Sequence, residues 1–272
     1  MTTLRRRLLD LAWIPLVLIF LYPVIRYSSG HGERADSTLA QGPLLTGRQA
    51  LDSLLAEGSG NRAVVNFWAT WCTPCVAELP HIDRAYREAE GKVTVVAVDI
   101  GDPRLETLMG FREDFVLTIP VVWLSPGEAQ TLKEEWDLPD LLPVTVVLDG
   151  EGNETERISG SRDEDFFRSL MAGEQIAVTA DTVEEEPRLH INVVGAQTDP
   201  AAVLLMETSL ELAESEAVDI YDPGVPADSA AMADKNLPFT GFSYAQPCIG
   251  SACGRLARTP EELRQIVESL SN

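Results

Sequence analysis

Residues 66–80 of this 272-residue chain read Asn-Phe-Trp-Ala-Thr-Trp-Cys-Thr-Pro-Cys-Val-Ala-Glu-Leu-Pro, and this stretch decides the fold. Cys72 and Cys75 are separated by two residues, where a buried apolar strand over 64–68 turns into a helix. The unpaired N–H groups and positive dipole end of a helix N-terminus stabilise a thiolate. We therefore expect the pKa of Cys72 to lie below the free-thiol value of about 8.5. Cys72 would attack a disulfide and Cys75 would resolve the product.

Zinc binding and a structural disulfide are the alternative interpretations of this pair. A zinc site takes three or four ligands, usually from a second pair of Cys or His residues. The only other cysteines, Cys248 and Cys253, have four residues between them, and the three histidines are scattered. We therefore expect no metal. A purely structural disulfide is less favoured still, because closing so short a loop removes little chain entropy.

The run from Phe67 to Cys75, followed by Pro80, resembles the thioredoxin superfamily, and the likeness extends over about 43–173. It is similar to the membrane-anchored, extracytoplasmic branch of thiol-disulfide oxidoreductases of the TlpA and ResA kind. The resemblance implies an α/β thioredoxin fold, a mixed central sheet flanked by helices. It also implies that a redox-active Cys72–Cys75 disulfide acts without a further cofactor. Pro80 matches the proline that kinks the active-site helix in that superfamily.

Glu78 is the expected proton acceptor of the dithiol. Asn66 stands where cytosolic thioredoxins carry an aspartate, and an amide cannot accept a proton as a carboxylate does. Glu78 lies three residues after Cys75, on the same helix face, and the extracytoplasmic branch has a glutamate at this place. Burial would raise its pKa and let it take the proton of Cys75. The alternative is a solvated acid that only favours the helix dipole.

A substrate shelf beside the dithiol is implied by the resemblance. Pro143 opens a β-branched run that ends in a Gly-bearing turn. A cis proline starts this strand in the superfamily, and the preceding residue, here Leu142, would pair with an extended substrate segment. A trans proline at a strand start is the alternative. Trp71, Thr73 and Pro74 are the other expected substrate contacts, with plain packing as the alternative for Trp71.

The composition excludes two classes of partner. The chain has 21 basic and 43 acidic residues, a net charge of −22. Nucleic-acid binding requires a basic surface, and electrostatic adhesion to anionic lipids does as well. The apolar content of 45% supports real cores, and the length fits one to two domains.

The N-terminus predicts export from the cytoplasm. Arg5, Arg6 and Arg7 precede an apolar stretch over 11–25, and positive charge keeps that end cytoplasmic. We expect residues 1–27 to be a single-pass anchor in the inner membrane, with the catalytic domain periplasmic. A cleaved signal peptide is the alternative, because the apolar stretch is short for a span. Residues 28–42 read as a linker before the thioredoxin-like domain at 43–173.

A second, smaller α/β domain is expected over 188–272, after an acidic linker over 174–187. Its Cys248-to-Cys253 run and the Thr-Pro-Glu-Glu-Leu sequence at 259–263 are similar to the C-terminal segment of long bacterial proteins that join a thioredoxin domain to a glycosidase-like barrel. That resemblance implies no chemistry. A structural disulfide or two buried thiols are favoured for Cys248 and Cys253. A second redox pair exchanging electrons with Cys72 and Cys75 is one alternative, and metal binding is another.

Hydrophobic periodicity predicts the other elements. Strands are expected over 63–68, 92–99, 119–124, 143–148, 155–158, 189–194 and 217–221. Helices are expected over 47–57, from the cysteines to about 90, after 103, and over 131–136, 162–171, 200–214 and 260–270.

These features together predict an extracytoplasmic thiol-disulfide oxidoreductase. The resemblance favours reduction of exported proteins, for example apocytochrome c, with a membrane electron donor. A disulfide oxidase or isomerase is the alternative within the enzymes. Another class is a membrane-tethered binding or assembly module whose second domain holds the partner. The enzymatic prediction requires Cys72 to be ionised and reachable by client proteins.

Overall fold

A computed structural model describes residues 40–58, 60–174 and 188–270 of the chain. The expected anchor over 1–27, most of the linker over 28–42 and most of the linker over 174–187 lie outside the described residues. Within the described residues, no helix has both the length and the apolarity to cross a membrane. From Gln41 onward the described residues belong to one compact unit, which contains two sheets.

The first sheet has six strands in the order β1-β4-β3-β2-β5-β6. The pairs β1–β4, β4–β3 and β3–β2 are parallel, whereas β2–β5 and β5–β6 are antiparallel. This mixed sheet with its helices confirms the predicted thioredoxin fold. Its strands are β1 (Leu44–Thr46), β2 (Ala63–Trp68), β3 (Thr94–Asp99), β4 (Val121–Trp123), β5 (Val144–Leu148) and β6 (Glu154–Ser159). Its helices are α1 (Arg48–Glu57), α2 (Thr73–Glu88), α3 (Leu105–Asp114), α4 (Pro126–Glu135) and α5 (Glu164–Ala172).

The centre of this sheet is a buried core. All six residues of β2 are buried, as are all five of β5. Strands covered on both faces read as continuous apolar runs, and this explains why β2 was predicted with its observed bounds. The carboxyl end of β2 leads into the cysteine pair, so a fully buried strand positions the start of α2.

The second sheet has four strands in the order β10-β9-β7-β8. β7 and β8 are parallel, and β9 runs antiparallel to both β7 and β10. The elements are β7 (Leu189–Val194), α6 (Pro200–Leu212), β8 (Val218–Tyr221), α7 (Pro226–Asp234), β9 (Tyr244–Ile249), β10 (Ala252–Cys253) and α8 (Pro260–Leu270), with a 3₁₀ turn at Ser215–Ala217. The second α/β part of the predicted fold class is therefore present.

Several expected elements have different bounds in the structure. The helix expected over 131–136 is α4, which begins at Pro126. Ser125 precedes it as the N-cap residue, and its backbone N–H and hydroxyl both donate to the Glu128 carboxylate, as in a capping box. The strand expected over 119–124 is the shorter β4, and the strand expected over 92–99 is β3, which begins at Thr94.

Four observed elements were not predicted: β1, α7, β9 and β10. The predicted start of α4 was too late because the serine cap was overlooked.

Candidate active site

The cysteine pair lies at the N-terminus of α2. Cys72 is the N-cap residue, and the backbone N–H of Cys75 donates to its Sγ at 3.3 Å. The two cysteines form a disulfide with a Cα–Cα distance of 5.2 Å. After reduction, this N–H and the helix dipole would both stabilise a Cys72 thiolate. The local geometry therefore favours Cys72 as the nucleophile.

Two hydrogen bonds join the residues that flank Cys72 to the second α/β part of the chain. The Gln246 amide Nε2 of β9 donates to the Trp71 carbonyl at 3.2 Å, and the Thr73 hydroxyl donates to the carbonyl of Asn236, between α7 and β9, at 3.3 Å. Cys72 and Cys75 have no exposed surface. The expectation that Cys72 is reachable by client proteins is therefore wrong for this arrangement of the chain.

The expected substrate shelf is also occupied. The Leu142–Pro143 peptide bond is cis, as the resemblance implied. The N–H of Leu142 donates to the Cys253 carbonyl at 3.0 Å, and the N–H of Cys253 donates to the Leu142 carbonyl at 2.7 Å. This antiparallel bridge uses both backbone groups of Leu142. A residue of the second sheet thus takes the place expected for an extended substrate.

Glu78 is a buried acid one turn after Cys75. It is 1% exposed, so the interpretation as a solvated first-turn acid is wrong. Its Oε1 accepts from Asn66 Nδ2 at 2.7 Å, and its Oε2 accepts from the Arg162 N–H at 3.0 Å. Burial raises the pKa of Glu78 to about 8, although these two hydrogen bonds work in the opposite direction. An acid with this pKa can bind or release a proton near neutral pH.

Asn66 can serve both protonation states of Glu78. Its Nδ2 also donates to Thr145 Oγ1 at 3.0 Å, while its buried Oδ1 has no partner among the described residues. Turning the amide exchanges a donor for an acceptor. In that orientation, Oδ1 would accept the proton of neutral Glu78.

Two aspartates that the sequence reasoning missed hold the loop before Cys72. The Asp102 carboxylate accepts from the N–H and the hydroxyl of Thr70, at 2.8 Å and 2.7 Å. Asp99 Oδ1 accepts from the N–H groups of Gly101 and Asp102. Burial, followed by the nearby Asp102 charge, raises the pKa of Asp99 well above its usual range. The only sequence signal was an Asp-Ile-Gly-Asp run after a buried strand, which could have marked a tight polar turn.

Trp71 is held on this loop by its indole. The Trp71 Nε1 donates to the Gly101 carbonyl at 3.0 Å. A Cβ on Gly101 would lie 2.5 Å from Ala69 Cβ and 2.7 Å from Trp71 Cζ2. Trp71 therefore packs on a residue that must lack a side chain. Trp71 also lines a cavity of about 290 Å³ together with Leu142 and Arg255. Its position therefore fits both of its expected roles, packing within the protein and contact with a substrate.

The second cysteine pair is a disulfide in the structure. Cys248 and Cys253 are directly opposite partners of the β9–β10 hairpin, and they are 5% and 6% exposed. Both line a cavity of about 350 Å³ together with Thr73 and Pro74 of the first pair's helix. Among the described residues, no three His, Cys, Asp or Glu side chains group in a way that could hold a metal ion.

Comparison with known proteins places the first sheet in a family. Residues 47–171 match the Redoxin family. The chain is 33% identical over 130 residues to the thiol-disulfide oxidoreductase ResA of Geobacillus kaustophilus, an alignment that covers 47% of this chain and 71% of that protein. It is 28% identical over 120 residues to the thiol-disulfide oxidoreductase ResA of Bacillus subtilis, covering 43% of this chain and 63% of that protein.

A solved structure, that of StoA from Bacillus subtilis, is similar at 22% identity with a TM-score of 0.37, covering 41% of this chain and 82% of that one.

The Redoxin match ends before β7, so it does not include the second sheet. The identity to ResA over most of that protein's length, on a thioredoxin fold with a cysteine pair at a helix N-terminus, shows that this chain belongs to the ResA-type thiol-disulfide oxidoreductases.

Proposed function

We propose that this chain is a membrane-anchored protein-disulfide reductase that acts outside the cytoplasm on exported proteins. The observation that carries the proposal is the Cys72–Cys75 disulfide, held at the N-terminus of α2 one turn before buried Glu78. The arginines before an apolar N-terminal stretch support the membrane anchor and the periplasmic location. The names of the ResA relatives support thiol-disulfide exchange.

The reaction follows from the positions of three side chains. The Cys72 thiolate attacks one sulfur of a client disulfide, and the client's other sulfur leaves as a thiolate. Cys75 then loses its proton to Glu78 and attacks Cys72 Sγ, which releases the second client sulfur. The client gains two electrons and two protons, while Cys72 and Cys75 close a disulfide. No cofactor beyond this disulfide takes part.

Client entry requires the second sheet to move away from the first. Cys72 has no exposed surface, and Leu142 already uses both of its backbone groups. A client strand can pair with Leu142 only after Cys253 releases it. We therefore place an opening of the two sheets before the chemical step. Many enzymes require a comparable movement of a lid or loop before reaction.

Exported cysteine proteins such as apocytochrome c are the proposed clients, and a membrane protein with a reactive dithiol is the proposed electron donor. A reductase must have a potential nearer to the about −270 mV of thioredoxin than to the about −120 mV of a strong oxidant. Equilibration of the purified chain with a glutathione buffer measures this value. A potential near −120 mV would instead favour the oxidase alternative.

The direct test is to trap clients on Cys72. Full-length Cys75→Ser protein, expressed in its native host, keeps the nucleophile but cannot resolve a mixed disulfide. We expect exported proteins to accumulate on Cys72, and mass spectrometry identifies them. The matched control is Cys72→Ser, which retains Cys75 but lacks the nucleophilic sulfur at the N-terminus of α2.

Two outcomes would contradict the proposal. Equal capture by Cys75→Ser and Cys72→Ser would show that Cys72 is not the nucleophile. A Cys72→Ser/Cys75→Ser variant that keeps both its partners and its cellular role would instead favour the tethered assembly module. Labelling of intact cells with a membrane-impermeant maleimide tests the location. A chain with all four cysteines replaced by serine and with Glu113→Cys, an exposed position of α3, reacts without lysis when the domain is periplasmic.

A further inference from the structure

We propose that the Cys248–Cys253 disulfide is a second redox centre, which the reduced Cys72–Cys75 pair opens by thiol-disulfide exchange within the chain. The inference rests on the proposed function, because it requires a Cys72 thiolate that attacks disulfides. It adds to that function an internal substrate, built into the second sheet.

A backbone bridge joins the second disulfide to the substrate shelf of the first sheet. The N–H and C=O of Leu142 bind the C=O and N–H of Cys253 in an antiparallel bridge. Strand addition to a sheet residue beside an active site is a general way to hold an extended peptide. The segment that occupies this place is the two-residue strand β10. Its Cα atoms lie within 8 Å of residues of α2, the helix that begins beside Cys72.

The residue paired with Leu142 is a cysteine. Cys253 is itself half of a disulfide, and its partner Cys248 is directly opposite in the hairpin. A disulfide-bonded cysteine is the substrate that an enzyme of this class attacks. Both cysteines line a cavity of the protein. Thr73, Pro74 and Ala77 of α2 line the same cavity. The second disulfide and the active-site helix therefore face a common space.

Cys248, whose sulfur must leave as a thiolate, has a buried hydrogen-bond donor beside it. Asn192 Nδ2 lies 4.0 Å from Cys248 Sγ, within reach of an N–H···S hydrogen bond. Asn192 is 8% exposed, so this donor is shielded from water. A donor at this position stabilises the developing thiolate of Cys248 when Cys253 is attacked. Exchange is faster when the departing thiolate is the more stable one.

The exchange balances in atoms and electrons. The Cys72 thiolate attacks Cys253 Sγ, the Cys248–Cys253 bond breaks, and Cys248 leaves as a thiolate that takes up a proton. Cys75, deprotonated by Glu78, then attacks Cys72 Sγ, and Cys253 leaves and is protonated. Two electrons pass from the first pair to the second. An external dithiol, a protein in the cell or dithiothreitol in the test tube, supplies them by reducing Cys72–Cys75 first.

Dependence on Cys72 and Cys75 distinguishes the internal route from an external one. Both disulfides are buried in the oxidised protein, since Cys72 and Cys75 have no exposed surface and Cys248 and Cys253 are 5% and 6% exposed, so burial alone does not set the order in which dithiothreitol reduces them. Oxidised full-length protein is treated with dithiothreitol, quenched with N-ethylmaleimide at intervals, and analysed by peptide mass spectrometry. We expect labelling of Cys248 and Cys253 to be at least about tenfold slower in Cys72→Ser/Cys75→Ser than in the unmodified chain. Equal rates in the two proteins would overturn the proposal.

A pair of trapping variants tests the same step without a reductant. Cys75→Ser/Cys248→Ser retains only Cys72 and Cys253, whereas Cys75→Ser/Cys253→Ser retains only Cys72 and Cys248. On mild oxidation with oxidised glutathione, we expect the first variant to form an internal Cys72–Cys253 disulfide about tenfold faster than the control forms its own. Circular dichroism verifies that both variants are folded. Equal rates, or no internal disulfide in either folded variant, would overturn the proposal.

Failure of this inference and failure of the proposed function give different results. The Cys75→Ser variant can capture external clients even where no internal exchange occurs, and then the Cys248–Cys253 disulfide only holds the hairpin. Conversely, internal exchange in the purified chain, with no client captured by Cys75→Ser/Cys248→Ser/Cys253→Ser, would support the second redox centre and contradict the reduction of exported proteins. The triple variant is required because Cys253 of the single variant competes with clients for Cys72.

Discussion

Leu142 and Cys253 exchange two backbone hydrogen bonds, and this bridge joins the substrate shelf of the first sheet to the hairpin of the second. The bridge closes the site on one side. On the other side, Gln246 Nε2 binds the Trp71 carbonyl just before Cys72. Access to Cys72 is therefore governed by contacts between the two sheets, and single side chains of the second sheet should control it.

Gln246→Ala should make reduced Cys72 more accessible. The substitution removes the hydrogen bond to Trp71, and a hydrogen bond of this kind contributes about 0.5–1.5 kcal/mol. We expect alkylation of Cys72 in the reduced protein to become about 2- to 10-fold faster. The control is Gln130→Ala, which alters an exposed residue of α4. Identical rates for Gln246→Ala and the unmodified chain would show that this contact does not limit access.

Glu78 should make the folded protein less stable as the pH rises. Its pKa of about 8 in the folded protein lies above its ordinary value of 4.5. Between these values the folded protein holds a proton that the unfolded chain releases, so the free energy of unfolding falls with increasing pH. The contribution is complete below about pH 4.5 and is lost through about pH 8, with a total loss of up to ~5 kcal/mol.

Glu78→Gln should remove the part of the pH dependence that is due to Glu78, because glutamine does not titrate, and should leave the part that the raised pKa of Asp99 contributes. Urea unfolding at several pH values between about 5 and about 9 measures the slope. Glu113→Gln, on the exposed surface of α3, is the control and should retain the slope of the unmodified chain. The account of Glu78 fails where the unmodified chain and Glu78→Gln show the same slope. We also expect Glu78→Gln to resolve mixed disulfides about 10²- to 10⁴-fold more slowly.

Gly101→Ala should destabilise the loop that holds Trp71. The new methyl group would meet Ala69 Cβ at 2.5 Å and the Trp71 ring at 2.7 Å, so both must shift. Overpacking of this kind costs about 1–3 kcal/mol. Gly110→Ala is the matched control in α3, where a new Cβ meets no atom within 4 Å.

We expect Gly110→Ala to stabilise the protein by about 0.5–1 kcal/mol, because alanine is the better helix residue. Urea unfolding of both variants gives the comparison. Equal effects of the two substitutions would show that Gly101 is not required for the packing of Trp71.

Most of the first sheet was predictable because its signals are local, and the exception is the three-residue edge strand β1, which is too short to give a pattern. Each element beside the site is indicated by a pattern of only a few residues: the apolar run of β2, the cysteine spacing at the start of α2, and the proline before β5. The burial of Glu78 followed from its place three residues after Cys75. The turn of Asp99 and Asp102 was missed, because short polar runs after strands are common and carry no unique signal.

The second sheet was harder to predict for a physical reason. β9 reads Tyr-Ala-Gln-Pro-Cys-Ile and lies between β7 and β10. A proline in a strand that is paired on both sides argues against a strand, and Gln246 interrupts the apolar pattern. The closure of the active site by this strand depends on contacts between distant parts of the chain, which no local pattern encodes.

The most direct test of the central claim is the pH dependence of the reactivity of Cys72. The full-length variant Cys75→Ser/Cys248→Ser/Cys253→Ser leaves Cys72 as the only thiol among the four cysteines of the chain. Its rate of alkylation by iodoacetamide, measured against pH, gives the pKa of that sulfur at the N-terminus of α2. We predict a midpoint at least one unit below the about 8.5 of a free thiol. A midpoint at or above about 8.5 would contradict the account, because Cys72 would then not be an activated nucleophile.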